Sequence, residues 1–180
     1  MQKFVNKLED FEVRAKNEKN EFIIADNAMS FTEPDFEPDT QTIEGYAGMA
    51  GKIELIDWLN ANAPEFAMKF SRLPENSKFI VTPDGCALQV FYTESAVDTE
   101  GKQSYDSFKI ELRGTAKNLP GGGEKKKGER GEVEIKIACT YYKKEKIGDA
   151  TPIIVYDPLN GKIEMFGKNY ASSVKSDWNK

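Results

Sequence analysis

A chain of 180 residues, 39 % hydrophobic and 31 % charged, suits one soluble domain long enough to bury a core. It has no histidine and 2 cysteines, which removes imidazole-dependent triads and leaves a structural zinc site almost without ligands. Its net charge of −5 hides a gradient, 11 acids and 5 bases in residues 1–45 against 12 bases and 8 acids in residues 101–150, which taken alone reads as ordinary solvated surface and also suits head-to-tail contact between copies.

No apolar run approaches the ~20 residues of a membrane span, and the N-terminus lacks a signal-peptide stretch, so cytoplasmic synthesis is expected. Residues 1–10 read as an N-terminal arm. Phe11, Val13 and Ala15 then alternate as a strand, Asn17–Asn20 turn, and Glu21–Ile24 return. After Met29–Thr32 comes an acidic proline loop, Glu33-Pro34-Asp35-Phe36-Glu37-Pro38-Asp39, whose prolines block ladder donors. Glu33, Asp35, Glu37 and Asp39 lack the Asp-x-Asp-x-Asp-Gly spacing of a calcium loop, so a solvated or interface loop is expected. This extended loop region, residues 33–62, also holds Gly45-Tyr46-Ala47-Gly48-Met49-Ala50-Gly51. The spacing is not the dinucleotide fingerprint; glycines placed so let one backbone approach another.

Within that region, Ile53–Ala61 has the Ile53, Ile56, Leu59 spacing of a short helix. Phe66, Met68 and Phe70 alternate as a strand, and Pro74–Val81 suits about two helical turns before Thr82-Pro83-Asp84-Gly85. Leu88, Val90 and Tyr92 alternate again, and Asp98–Gly101 turn into a long hairpin. In its first strand Phe108, Ile110 and Leu112 oppose Lys109, Glu111 and Arg113. In its second, Val133, Ile135, Ile137, Cys139 and Tyr141 share one face. The Gly/Lys-rich loop between them, residues 115–131, carries Lys125, Lys126 and Lys127. Gly123 to Gly128 has the step of a phosphate loop but continues Glu129-Arg130, so that reading fails.

Ile153–Tyr156 and Lys162–Phe166 flank an Asp157-Pro158-Leu159-Asn160-Gly161 turn, and residues 168–180 form a polar C-terminal arm with Trp178. About eight short strands and at most two short helices predict a mainly-β single domain over residues 1–180, a small β-sandwich or barrel. Cys86 and Cys139 are expected as buried free thiols. No cofactor, metal or catalytic constellation is predicted.

The order of four features resembles the major tail tube protein family of contractile-tailed bacteriophages and phage-tail-like bacteriocins. They are Glu44–Gly51, Ile110-Glu111-Leu112-Arg113-Gly114, the polar Gly/Lys-rich loop, and Cys139-Thr140-Tyr141-Tyr142. A hydrophobic strand and an Asn-Gly turn follow at Ile153–Gly161. Tyr46 departs from the small residue usual there, leaving Ala47, Gly48 and Gly51 for close approach.

The resemblance implies hexameric rings stacked into the hollow inner tube of a contractile tail, assembled in the bacterial host cytoplasm and carried in the particle. It implies sheath, tape measure, baseplate and tail terminator proteins as partners, and DNA in the lumen if the particle is a phage. A net acidic subunit would avoid adsorbing that DNA, so mostly acidic lumen charge is expected. Interface candidates are Glu33, Asp35, Glu37, Asp39, Gly45, Ala47, Gly48, Met49, Gly51, Lys125, Lys126 and Lys127. Two other readings stand beside this one: the tube of a related protein-translocating injection system, and a monomeric β-sandwich binding module using Tyr141, Tyr142, Tyr170 and Trp178.

Overall fold

A computed structural model describes residues 3–44, 51–58, 62–121 and 131–171, with side chains from residue 7 onward. Its framework is four long antiparallel strands: β1 (Lys3–Lys16), β7 (Cys86–Asp98), β8 (Gln103–Ala116) and β9 (Val133–Lys146). Shorter strands complete it: β2 (Phe22–Ile24), β3 (Ala28–Thr32), β4 (Asp39–Ile43), β5 (Ile53–Asp57), β6 (Glu65–Phe70), β10 (Ile154–Asp157), β11 (Lys162–Met165) and β12 (Lys168–Asn169). The large sheet runs β12-β11-β10-β9-β8-β7-β1-β2, while β6 pairs with the first half of β9 and carries β3 on its other edge. The mainly-β expectation is met.

Alternation explains the core. Leu88 and Val90 on β7, Ile110 and Leu112 on β8, and Ile135 and Ile137 on β9 point inward with Phe66, Met68 and Phe70 of β6, all at or below 1 % exposure. Phe31 of β3 stacks on Phe66 at 6.0 Å and meets Phe11 of β1 and Tyr92 of β7, each at 5.3 Å. The sheet therefore curls until its β3 end packs against its β1 end, enclosing one apolar interior.

A β-bulge corrects one sequence expectation. Arg113 pairs with Tyr141 but Gly114 pairs with Cys139, leaving Thr140 as an extra residue whose hydroxyl donates to the Arg113 carbonyl at 3.2 Å. Beyond the bulge the alternation inverts, so Tyr142 rather than Tyr141 is fully buried. Gly114 makes this crossing possible: a Cβ there would stand 2.1 Å from the Ala138 carbonyl oxygen.

Other elements differ from expectation. The predicted arm is strand from Lys3, paired along β7 from Lys3↔Asp98 to Ala15↔Leu88. The predicted helix at Ile53–Ala61 begins as β5, because Thr40, Thr42 and Ile43 offer β-prone cross-strand partners to Ile56, Glu54 and Ile53. Pro74–Val81 yields a single 3-10 turn, Glu75–Phe79. The Gly/Lys-rich loop starts later than its expected residue 115. Lys117 still donates to the Lys136 carbonyl, and the Asn118 amide bonds both Glu134 O and Lys136 N in place of a backbone rung.

Cys86 and Cys139 are buried and free, one on each side of Gly114 in the sheet. Burial pushes the Cys86 thiol up to about 11 and the Cys139 thiol up to about 12. Ellman's reagent is therefore expected to label neither in the native protein and both in denaturant; rapid native labelling would contradict this packing.

Candidate assembly surface

Strands β4 and β5 form a separate two-stranded sheet in register from Asp39↔Asp57 to Ile43↔Ile53. Among the described residues they form a ladder only with each other, so each presents one edge without a strand partner. Alternation puts Ile53 and Leu55 on one face and Ile56 on the other, exposed by 51 %, 47 % and 62 %. A lone hairpin with apolar side chains on both faces is marginal in water and gains from being covered.

The hairpin is nonetheless tied to the body at its base. Asn62 N–H donates to the Glu37 carbonyl at 3.2 Å, and the Trp58 ring lies 5.5 Å from Tyr170. On the incoming side Pro34 is buried, and Phe36 packs at 5.3 Å from Tyr142 and 5.4 Å from Tyr156. Glu33 sits among four donor contacts. Its carboxylate accepts from the Tyr92 hydroxyl at 3.0 Å and the Tyr142 hydroxyl at 2.9 Å. The Lys144 ammonium reaches both of its oxygens at 2.8 Å. Burial, then the Glu33 charge, pushes both phenols upward, so they remain donors to it.

The sequence candidates thus divide. Glu33 is committed inside the subunit, whereas Asp35, Glu37 and Asp39 are exposed beside it. Gly51 is exposed two residues before the returning hairpin strand, and among the described residues nothing lies within 4 Å of where its Cβ would stand. Gly45, Ala47, Gly48 and Met49 lie outside the described residues, as do Lys125, Lys126, Lys127 and Trp178. Sequence reasoning missed Ile53, Leu55 and Ile56 as a surface. The available signal was an apolar trio in a region otherwise rich in acids and prolines.

A second surface is the outward face of β1, β7, β8 and the later half of β9. Its charged side chains include Asp10, Glu12, Glu111 and Glu145 together with Lys7, Arg14, Lys16, Lys109, Arg113 and Lys143, acids and bases interspersed. They pair along strands, Arg14 with Glu12, Lys109 with Glu111 at 2.6 Å and Lys143 with Glu145 at 2.5 Å, and across β8 and β9, Lys109 with Glu145 at 3.9 Å. Lys109 holds the Glu111 carboxyl below its usual range, and Glu145 raises the Lys143 ammonium.

Two comparisons bear on this geometry. A protein-family model described as phage tail tube protein FII matches residues 7–177. No curated protein matches the chain.

Proposed function

Because the chain belongs to the phage tail tube protein FII family, a family of structural proteins, we propose that it polymerises as stacked hexameric rings into the inner tube of a contractile tail. The tube is the conduit driven through the bacterial envelope when the sheath contracts, in a phage or in a DNA-free tailocin. One observation carries the assembly surface: the β4–β5 hairpin exposes Ile53, Leu55 and Ile56 and has no further strand partner among the described residues, a surface that a neighbouring copy would cover. A heterologous contact of this kind closes a ring if its rotation divides a full turn, and propagates a filament if it does not.

Asp35, Glu37, Asp39 and the Gly45–Gly51 loop flank the hairpin or continue it, so they join the same interface. Lys125, Lys126 and Lys127 meet the acidic N-terminal third of another copy in this reading. Sheath, tape measure, baseplate and terminator proteins remain its partners, with assembly in the host cytoplasm.

The outward face of the four long strands carries mostly polar and charged side chains, as a lumen wall requires. If it forms that wall, the charge is self-paired rather than mostly acidic, contrary to the expectation from net charge. Such a wall would hold a phosphate backbone less firmly than a bare basic one, because Lys7, Arg14, Lys109 and Lys143 each have a carboxylate partner.

Sedimentation velocity of the purified chain tests the proposal. Discrete rings or fast-sedimenting polymers are expected as concentration rises; a species that stays monomeric at high concentration would contradict it.

A further inference from the structure

We propose that Glu33 is a positioning residue: it fixes where the β4–β5 hairpin leaves the body, so that the hairpin meets its neighbour in one pose. The inference rests on the assembly reading for its consequence, but not for its geometry. Five residues separate Glu33 from the first hairpin residue, Asp39. Along that stretch the chain is held by Pro34, which is buried, by Phe36 against Tyr142 and Tyr156, and by the Glu37 carbonyl accepting from Asn62.

Among the described residues Glu33 is the charged anchor of that stretch, and each of its partners is itself fixed. Tyr142 is fully buried and Tyr92 is 4 % exposed, stacked on Phe108 at 5.0 Å. The Lys144 ammonium lies over the rings of Tyr92 and Phe108 at 5.5 and 5.6 Å while it bonds both carboxylate oxygens. Charge-assisted bonds from three rigid directions specify an orientation as well as an attachment. A surface charge used only for contact with another copy would not be spent on two interior phenols. Loss of the carboxylate leaves the apolar contacts of the interior in place but orphans two phenols and an ammonium, and it loosens the approach to β4, so the hairpin samples a wider range of orientations.

The test uses the full chain with Glu33→Ala, Tyr142→Phe and the exchanged pair Glu33→Lys with Lys144→Glu. Two quantities are read: amide hydrogen exchange at residues 39–43 and 53–57 against that of β7 and β8 in the unassembled fraction, and the fraction that sediments as polymer. Glu33→Ala is expected to speed hairpin exchange by at least about tenfold while β7 and β8 stay protected, and to reduce polymer. Tyr142→Phe gives a smaller change in the same direction, and the exchanged pair recovers part of the loss. Unchanged hairpin exchange in these variants would overturn the proposal, and so would an equal rise in β7 and β8, which marks a role in the body alone. Should Glu33→Ala fail to fold, the Tyr142→Phe comparison decides. If the wild-type chain never sediments but hairpin exchange responds as described, the positioning role stands and the tube reading falls.

Discussion

Gly114→Ala is expected to lower the melting temperature by roughly 6–12 °C, or to prevent folding. The added methyl would sit 2.1 Å from the Ala138 carbonyl oxygen and 2.7 Å from a methyl of Ile137. The first of these is backbone in the centre of β9, so no rotamer change relieves it; β8 and β9 must separate where Thr140 is already bulged. Overpacking of this kind costs up to about 3 kcal/mol, and each kcal/mol is worth about 2–4 °C in a domain of this size. Gly121→Ala, where nothing among the described residues lies within 4 Å, serves as the control and should leave the melting temperature unchanged. A wild-type melting curve for Gly114→Ala would show that the bulge and its crossing are drawn wrongly.

The second large effect falls on assembly rather than stability. Leu55→Glu combined with Ile56→Glu charges both faces of the hairpin without touching the interior. Half-exposed aliphatic side chains gain about 1 kcal/mol each on being covered, and a buried unpaired carboxylate costs more, so the pair should weaken each contact by roughly 3 kcal/mol or more. That corresponds to a rise of about a hundredfold in the concentration needed for polymer. Thermal melting should stay within about 2 °C of wild type, since neither side chain contributes to the core. Normal polymer from this variant would remove the hairpin from the interface.

These two sites show what the sequence could and could not reveal. Phe108, Ile110 and Leu112 alternate without interruption, and the structure places all three toward the interior. The alternation of β9 was legible only to Cys139. A bulge adds one residue at Thr140, and no local pattern distinguishes Tyr141 from Tyr142 as the inward ring. The order Arg113-Gly114 and Cys139-Thr140-Tyr141-Tyr142 pointed to the family, and its physical content appears only when β8 and β9 meet. Gly114 admits the close crossing, Thr140 caps the Arg113 carbonyl, and Cys139 and Tyr142 enter the core.

The assembly surface was less legible. Ile53 and Ile56 are three apart, a helical spacing, yet pairing with Thr40 and Ile43 decides for strand. Glu33 was read by its acidic neighbours as a surface charge. Its true partners lie 59, 109 and 111 residues away in the chain, beyond any local signal.

Electron microscopy of the purified, assembled chain tests the central claim most directly. Hollow tubes of stacked hexameric rings are predicted, with residues 39–57 buried between copies and the outward face of β1, β7, β8 and β9 turned to the lumen. A field of monomers at high concentration, or an assembly that leaves Ile53, Leu55 and Ile56 in solvent, would contradict the account.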